Sequence, residues 1–284
     1  MLGKLLKYEV KATARWFLPM YIGILAFAIL NKIVFSIGNV DAIMDIIERN
    51  KVLTVLSELF SGISIALYVL IIAATFVLTL VITIQRFYKN LMGDEGYLMF
   101  TLPVTPTAHI WSKFLVSLMW SAVSVLVTGL SIFILAFYGN MFHDIAQVIQ
   151  EISSVFQSSE GIHIIGFILE LFICLIVGEC SSTLMVYASI ALGHTRKSHK
   201  VLYSFGAYML INAITSIISG IFTAIGTIGL VTDDELLYAD TIANSTIFGF
   251  IHYMFISTAV LSALFAVGFF IITNFILSKK LNLE

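Results

Sequence analysis

The chain has 284 residues, 60% of them hydrophobic and only 11% charged, with a mean hydropathy of +1.02. Soluble domains carry about a quarter charged residues, so an ordinary soluble enzyme is excluded before any motif is read. A formal net charge of −2, from 15 Lys and Arg against 17 Asp and Glu, leaves no cation excess for nucleic-acid phosphates, and two cysteines rule out a disulfide scaffold or a zinc ribbon.

At 100° per residue, Lys4, Lys7, Lys11 and Arg15 fall within about 80° of one another, while Leu2, Leu5, Leu6, Trp16 and Phe17 gather opposite. This spacing predicts an amphipathic interfacial helix over residues 1–16, lying on the inner leaflet. Six stretches then reach the roughly 20 apolar residues that a crossing helix needs. They cover about residues 17–37, 63–84, 114–137, 164–192, 201–230 and 248–277. A transmembrane barrel would alternate apolar and polar residues, but runs such as Leu67 to Leu80 are apolar at both parities, so helices are predicted.

Between the first two spans, Ile43, Ile46, Ile47, Leu53, Leu56 and Phe60 recur at loosely helical spacing. Between the third and fourth, Ile145, Val148, Ile149, Ile152, Val155 and Phe156 do so more regularly. Both predict short amphipathic helices on the outer face. The segment from Gln85 to Lys113 differs in kind. Gly93 and Gly96 flank Asp94 and Glu95, an apolar stretch runs from Tyr97 to Leu102, and Pro103 and Pro106 stiffen the exit. The expected product is a compact exposed knob, suited to a cytosolic partner's groove or serving as a plain re-entry loop.

Charge orients the spans, because short cytoplasmic segments collect Lys and Arg. Lys4, Lys7, Lys11, Arg15, Arg86, Lys89, Lys113, Arg196, Lys197, Lys200, Lys279 and Lys280 all fall on one side, twelve of the fifteen. The other side holds most of the acidic residues. Both termini are therefore expected in the cytoplasm, with no cleavable signal segment. Trp16, Trp111, Tyr88 and Tyr203 fall where an inner aromatic belt belongs, and Tyr138 where an outer one does.

No phosphate-binding Gly-x-x-x-x-Gly-Lys-Ser/Thr loop, His-Glu-x-x-His or Gly-x-Ser-x-Gly occurs. Cys174 and Cys180 read as small core residues, and the six histidines show no ligand spacing, so no metal or cofactor site is expected in this chain. Glu170 and Glu179 stand out, because a carboxylate near the bilayer midplane costs about 2.5 to 3.5 kcal/mol. Nine residues apart, they point to opposite faces of one helix. Glu179 is either a hydrogen-bonded structural residue, beside Ser181, Ser182, Thr183 and Asn212, or part of a substrate pathway with Asn212.

The motif GDEGYLMFTLPVTP, residues 93–106, resembles the coupling segment in the permease subunits of bacterial type 2 ABC exporters, above all the short six-span permeases of Gram-positive bacteria. The resemblance spans the whole chain. It implies an all-α integral membrane protein of the type 2 ABC exporter fold, one permease domain over 1–284, with a connecting helix at 1–16 and a cytoplasmic coupling segment at 85–113. In that family two permeases, identical or paralogous, work with separate ATPase subunits that bind ATP and Mg, so the permease is not an enzyme by itself. The coupling contacts carried over are Asp94, Glu95, Tyr97, Phe100, Leu102, Pro103, Pro106, Arg196 and Lys197. Relatives that move antimicrobial peptides or phenol-soluble modulins suggest a peptide, toxin, drug or lipid-like cargo. The competing class is an ion-gradient-driven transporter or channel.

Overall fold

The computed structural model describes residues 2–38, 47, 49–93, 96, 104–137, 147, 150, 153–154, 161–196, 198–231 and 240–279. Among them lie six long helices and no strand: α1 (Leu2–Gly38), α2 (Lys51–Phe87), α3 (Pro106–Ala136), α4 (Gly161–Gly193), α5 (Lys200–Val231) and α6 (Asp240–Lys279). Each holds a stretch long and apolar enough to cross a membrane, as the sequence predicts.

The N-terminal segment and the first span are one helix rather than two. α1 runs unbroken through Pro19, and its 37 residues reach about 55 Å, well beyond the roughly 30 Å hydrocarbon core. Proline removes one backbone hydrogen bond there. Phe17 and Tyr21, on either side of it, are buried against Trp120, and that packing carries the helix across the gap. Lys4, Lys7, Lys11 and Arg15 are exposed as expected, but the buried face is Glu9, Thr13, Phe17, Tyr21, Ile24, Ala28 and Asn31. Trp16 is 70% exposed and does not share a face with Phe17.

α2 also begins earlier than expected. Asn50 caps it, its Oδ1 accepting from the Val52 amide at 3.0 Å. Leu53, Leu56 and Phe60, expected in a separate outer helix, are exposed residues of the first turns of α2. Ile43 and Ile46, and the stretch of Ile145, Val148, Ile149, Ile152, Val155 and Phe156, lie outside the described residues.

The chain forms two compact units, residues 1–85 with 111–142 and residues 86–110 with 143–284. In the first, the core is built on Phe17, Tyr21, Val116 and Trp120, with Phe17 and Trp120 stacked at 4.5 Å. A hydroxyl seam runs along α3 at heptad spacing. Ser117 shares a hydrogen bond with Thr83 (2.9 Å), Ser124 with both Tyr21 (2.8 Å) and Thr79 (3.1 Å), and Ser131 with Tyr68 (2.8 Å). Small residues and hydroxyls tie helices together where lipid offers no hydrogen-bond partner. One end of this unit carries a buried ion pair, Lys113 Nζ to Glu9 Oε1 at 2.6 Å, and next to it Trp120 Nε1 donates to Thr13 Oγ1 at 2.7 Å. In the second unit α4 packs against both α5 and α6.

Candidate functional site

The predicted knob has two anchors, and both belong to the second unit. At its entry the helical run of α2 widens into a π-turn over Tyr88–Met92 whose last three residues are buried. Phe87 stacks on Tyr187 of α4 at 4.0 Å, with the rings 10° from parallel. Such turns close i→i+5 bonds in place of the α-helical i→i+4 and recur at functional sites. The Gly96 amide then donates to the Gly93 carbonyl at 2.8 Å, closing the tight turn that the glycine pair predicts. A side chain at Gly93 would press a Cβ to 3.0 Å from the Lys89 carbonyl oxygen, so glycine is kept there by close approach.

The exit is a helix start. Thr105 accepts from the Ala108 amide at 3.0 Å and Pro106 takes the first helical position of α3, where its missing N–H costs nothing. Of the nine predicted coupling residues, Pro106 and Arg196 are therefore placed. Asp94, Glu95, Tyr97, Phe100, Leu102, Pro103 and Lys197 lie outside the described residues.

The turn between α4 and α5 stands beside the entry anchor. His194 Nδ1 lies 2.9 Å from the Ile190 carbonyl, and its ring meets Tyr88 edge-on at 5.0 Å. Burial pushes the His194 pKa below the ordinary histidine value and the Lys200 charge adds to this, against the opposing hydrogen bond to Ile190. Gly193 admits Ser204, whose Oγ and backbone N would overlap any Cβ at that position. Arg196, exposed, lies over the Tyr203 ring at 5.6 Å, and His199 takes a left-handed φ of 52° just before α5. Tyr88, His199, Lys200, Val201, Leu202 and Phe205 line an open recess of about 570 Å³.

Within the spans, Glu179 is half-buried on α4 and its backbone carbonyl accepts from Ser182 Oγ at 3.0 Å. Asn212 sits on the exposed face of α5. Cys174 and Cys180 are free thiols, partly buried, with Cys174 Sγ donating to the Phe255 carbonyl at 3.0 Å. Among the described residues no three His, Cys, Asp or Glu side chains converge as a ready metal cage.

Three interactions escape a sequence reading. Glu9 and Lys113 are 104 residues apart, and nothing local marks Glu9 as the one acid turned inward on a basic helix. The seam of Ser117, Ser124 and Ser131 shows in the sequence as a seven-residue repeat of serine. Glu170, singled out for its depth alone, pairs through Oε1 with His252 Nδ1 of α6 at 2.7 Å, and His252 Nε2 lies 3.2 Å from His163 Nδ1. The seven-residue spacing of His163 and Glu170 on one face of α4 was the available signal.

No protein-family model, no curated protein and no solved structure matches this chain.

Proposed function

We propose that this chain is the membrane-spanning permease subunit of a bacterial ATP-driven exporter, with the type 2 ABC arrangement of its six spans. It lies in the cytoplasmic membrane with both termini inside, pairs with a second permease copy, and takes its energy from separate ATPase subunits that hold ATP and Mg. The observation that carries this reading is the anchoring of residues 93–106. The entry is fixed by the Phe87–Tyr187 stack and the buried π-turn, the exit by the Thr105–Pro106 helix start, and the intervening sequence bears Asp94, Glu95, Tyr97, Phe100 and Leu102.

A segment held at both ends passes a push on its tip to the spans at its base. ATP-driven closure of the partner's nucleotide domains would press the knob and the Arg196–Lys197 turn, tilt α2, α3 and α4, and open the path outward. The cargo is a peptide, toxin, drug or lipid-like molecule, and Glu179 and Asn212 are the polar candidates to line its route. The chain works as a conduit and force transducer with no catalytic residue of its own.

Aromatic side chains buried in a partner's groove each carry about 2 kcal/mol or more, of order thirtyfold in affinity. Tyr97→Ala with Phe100→Ala is expected to leave insertion intact and to abolish ATPase association and export. Lys279→Ala with Lys280→Ala, also on the predicted inner face, is the matched control and is expected to change little. Full association and export in the aromatic double variant would reduce residues 93–106 to a connecting loop.

A further inference from the structure

We infer that His163 of α4 and His252 of α6 form a binding site for a divalent transition-metal ion, with Glu170 holding the His252 ring from behind. The two nitrogens that face each other, His163 Nδ1 and His252 Nε2, are 3.2 Å apart. Two imidazoles on one zinc-like ion, each at about 2.0–2.1 Å, place their nitrogens about 3.3 Å apart at the tetrahedral angle. In the free chain this contact is an N–H···N hydrogen bond, and an ion that replaces its proton, seated off the line between the nitrogens, needs them to part by only about 0.1 Å.

The surroundings fix both rings. His252 Nδ1–H donates to Glu170 Oε1 at 2.7 Å, which sets the tautomer and leaves the Nε2 lone pair facing His163. A carboxylate behind an imidazole is the usual support of a metal-bound histidine, because it orients the ring and raises its basicity. His163 lies flat on Phe248, with ring centres 5.0 Å apart and planes 2° from parallel, and Phe167 packs on His252 at 4.2 Å. Gly166 admits the second ring, since a Cβ there would come within 2.9 Å of His252 Cε1.

Nitrogen donors select zinc, copper, nickel or cobalt over magnesium and calcium, which take oxygen. With the ion bound, His163 carries its proton on Nε2 and His252 keeps its own on Nδ1, so neutral rings bind with no net proton released. Exposure of His163 leaves the remaining coordination positions to water. The ion would then cross-link the starts of the fourth and sixth spans, and it would be exchangeable rather than permanently enclosed.

The test uses the full chain, purified in detergent and stripped with chelator. Co²⁺ is titrated by its visible absorption and Zn²⁺ by competition, with thermal unfolding recorded at each step. One ion per chain is expected, with a rise in melting temperature. His163→Ala and His252→Ala are each expected to abolish the cobalt spectrum, and Glu170→Gln to weaken binding by about 10- to 100-fold. His199→Ala, an exposed histidine at the other end of α4 and α5, is expected to change nothing. Because His163 is exposed, its variant keeps the fold even if that of His252 does not. An unaltered cobalt spectrum in His163→Ala would overturn the proposal. So would absence of both cobalt and zinc binding by the wild-type chain.

Discussion

Removing one partner of the Glu9–Lys113 pair perturbs the junction where the N-terminal part of α1 meets the start of α3. The Lys113 side chain is 2% exposed and that of Glu9 11%, with 2.6 Å between charged atoms. Both ions have lost almost all their water, so the pair is in the regime where deleting one partner costs about 3–5 kcal/mol. Thr13 and Trp120, hydrogen-bonded to each other alongside, hold the same interface and limit relaxation. At roughly 2–4 °C per kcal/mol for chains of this size, Glu9→Ala should lower the melting temperature by about 6–20 °C. Lys113→Met should cost a similar amount, and Glu9→Met with Lys113→Met should recover most of the loss, since a well-packed apolar pair replaces a buried ion pair at little net cost. Thermal unfolding of the four proteins in one detergent gives the full cycle. If Glu9→Ala shifts the midpoint by under about 3 °C, or if the two single losses simply add, the pair does not hold α1 to α3.

Three further outcomes follow from the same geometry. Ser124→Ala, which removes the hydroxyl shared by Tyr21 and Thr79, should destabilise by about 0.6–1.7 kcal/mol in thermal unfolding, and its combination with Tyr21→Phe should lose less than the sum of the two single losses, because both break the Tyr21–Ser124 bond while only Tyr21→Phe breaks the bond from Tyr21 to the Trp120 carbonyl. His194 binds protons less readily folded than unfolded, so its contribution is complete above the ordinary histidine value near pH 6.5 and is lost as pH falls below it; melting curves from pH 8 to pH 5 should steepen on the acid side, and His194→Gln should flatten them. Single cysteines at positions 51 and 234 should react with an impermeant thiol reagent applied outside intact cells and those at 89 and 198 should not, and outside labelling at 198 would invert the topology.

The six spans were legible because crossing a membrane imposes a length and a composition that local sequence displays. Turn chemistry was equally legible at Gly93, where a Cβ would crowd the Lys89 carbonyl, and at Pro106, which opens α3. What sequence did not reveal was pairing between distant helices. Lys113 counts toward topology as a basic residue whether or not Glu9 sits against it, and the amphipathic pattern of residues 1–16 gave no reason for the helix to continue through Pro19 into the span. Periodicity also misjudged which residues α1 buries: Trp16 and Phe17 are adjacent and both aromatic, yet only the second meets Trp120. Glu170 was visible as an intramembrane carboxylate, but its partner histidine lies 82 residues away on another span.

The most direct test of the permease reading is whether ATP hydrolysis travels with the chain. A tagged copy expressed in its native membrane and purified in mild detergent should retain an ATPase subunit whose magnesium-dependent activity elutes with it, and the same purification of the Tyr97→Ala, Phe100→Ala variant should yield the chain without that activity. Recovery of the wild-type chain free of any ATP-hydrolysing subunit, with transport that stops when ion gradients are collapsed at full ATP, would contradict the account.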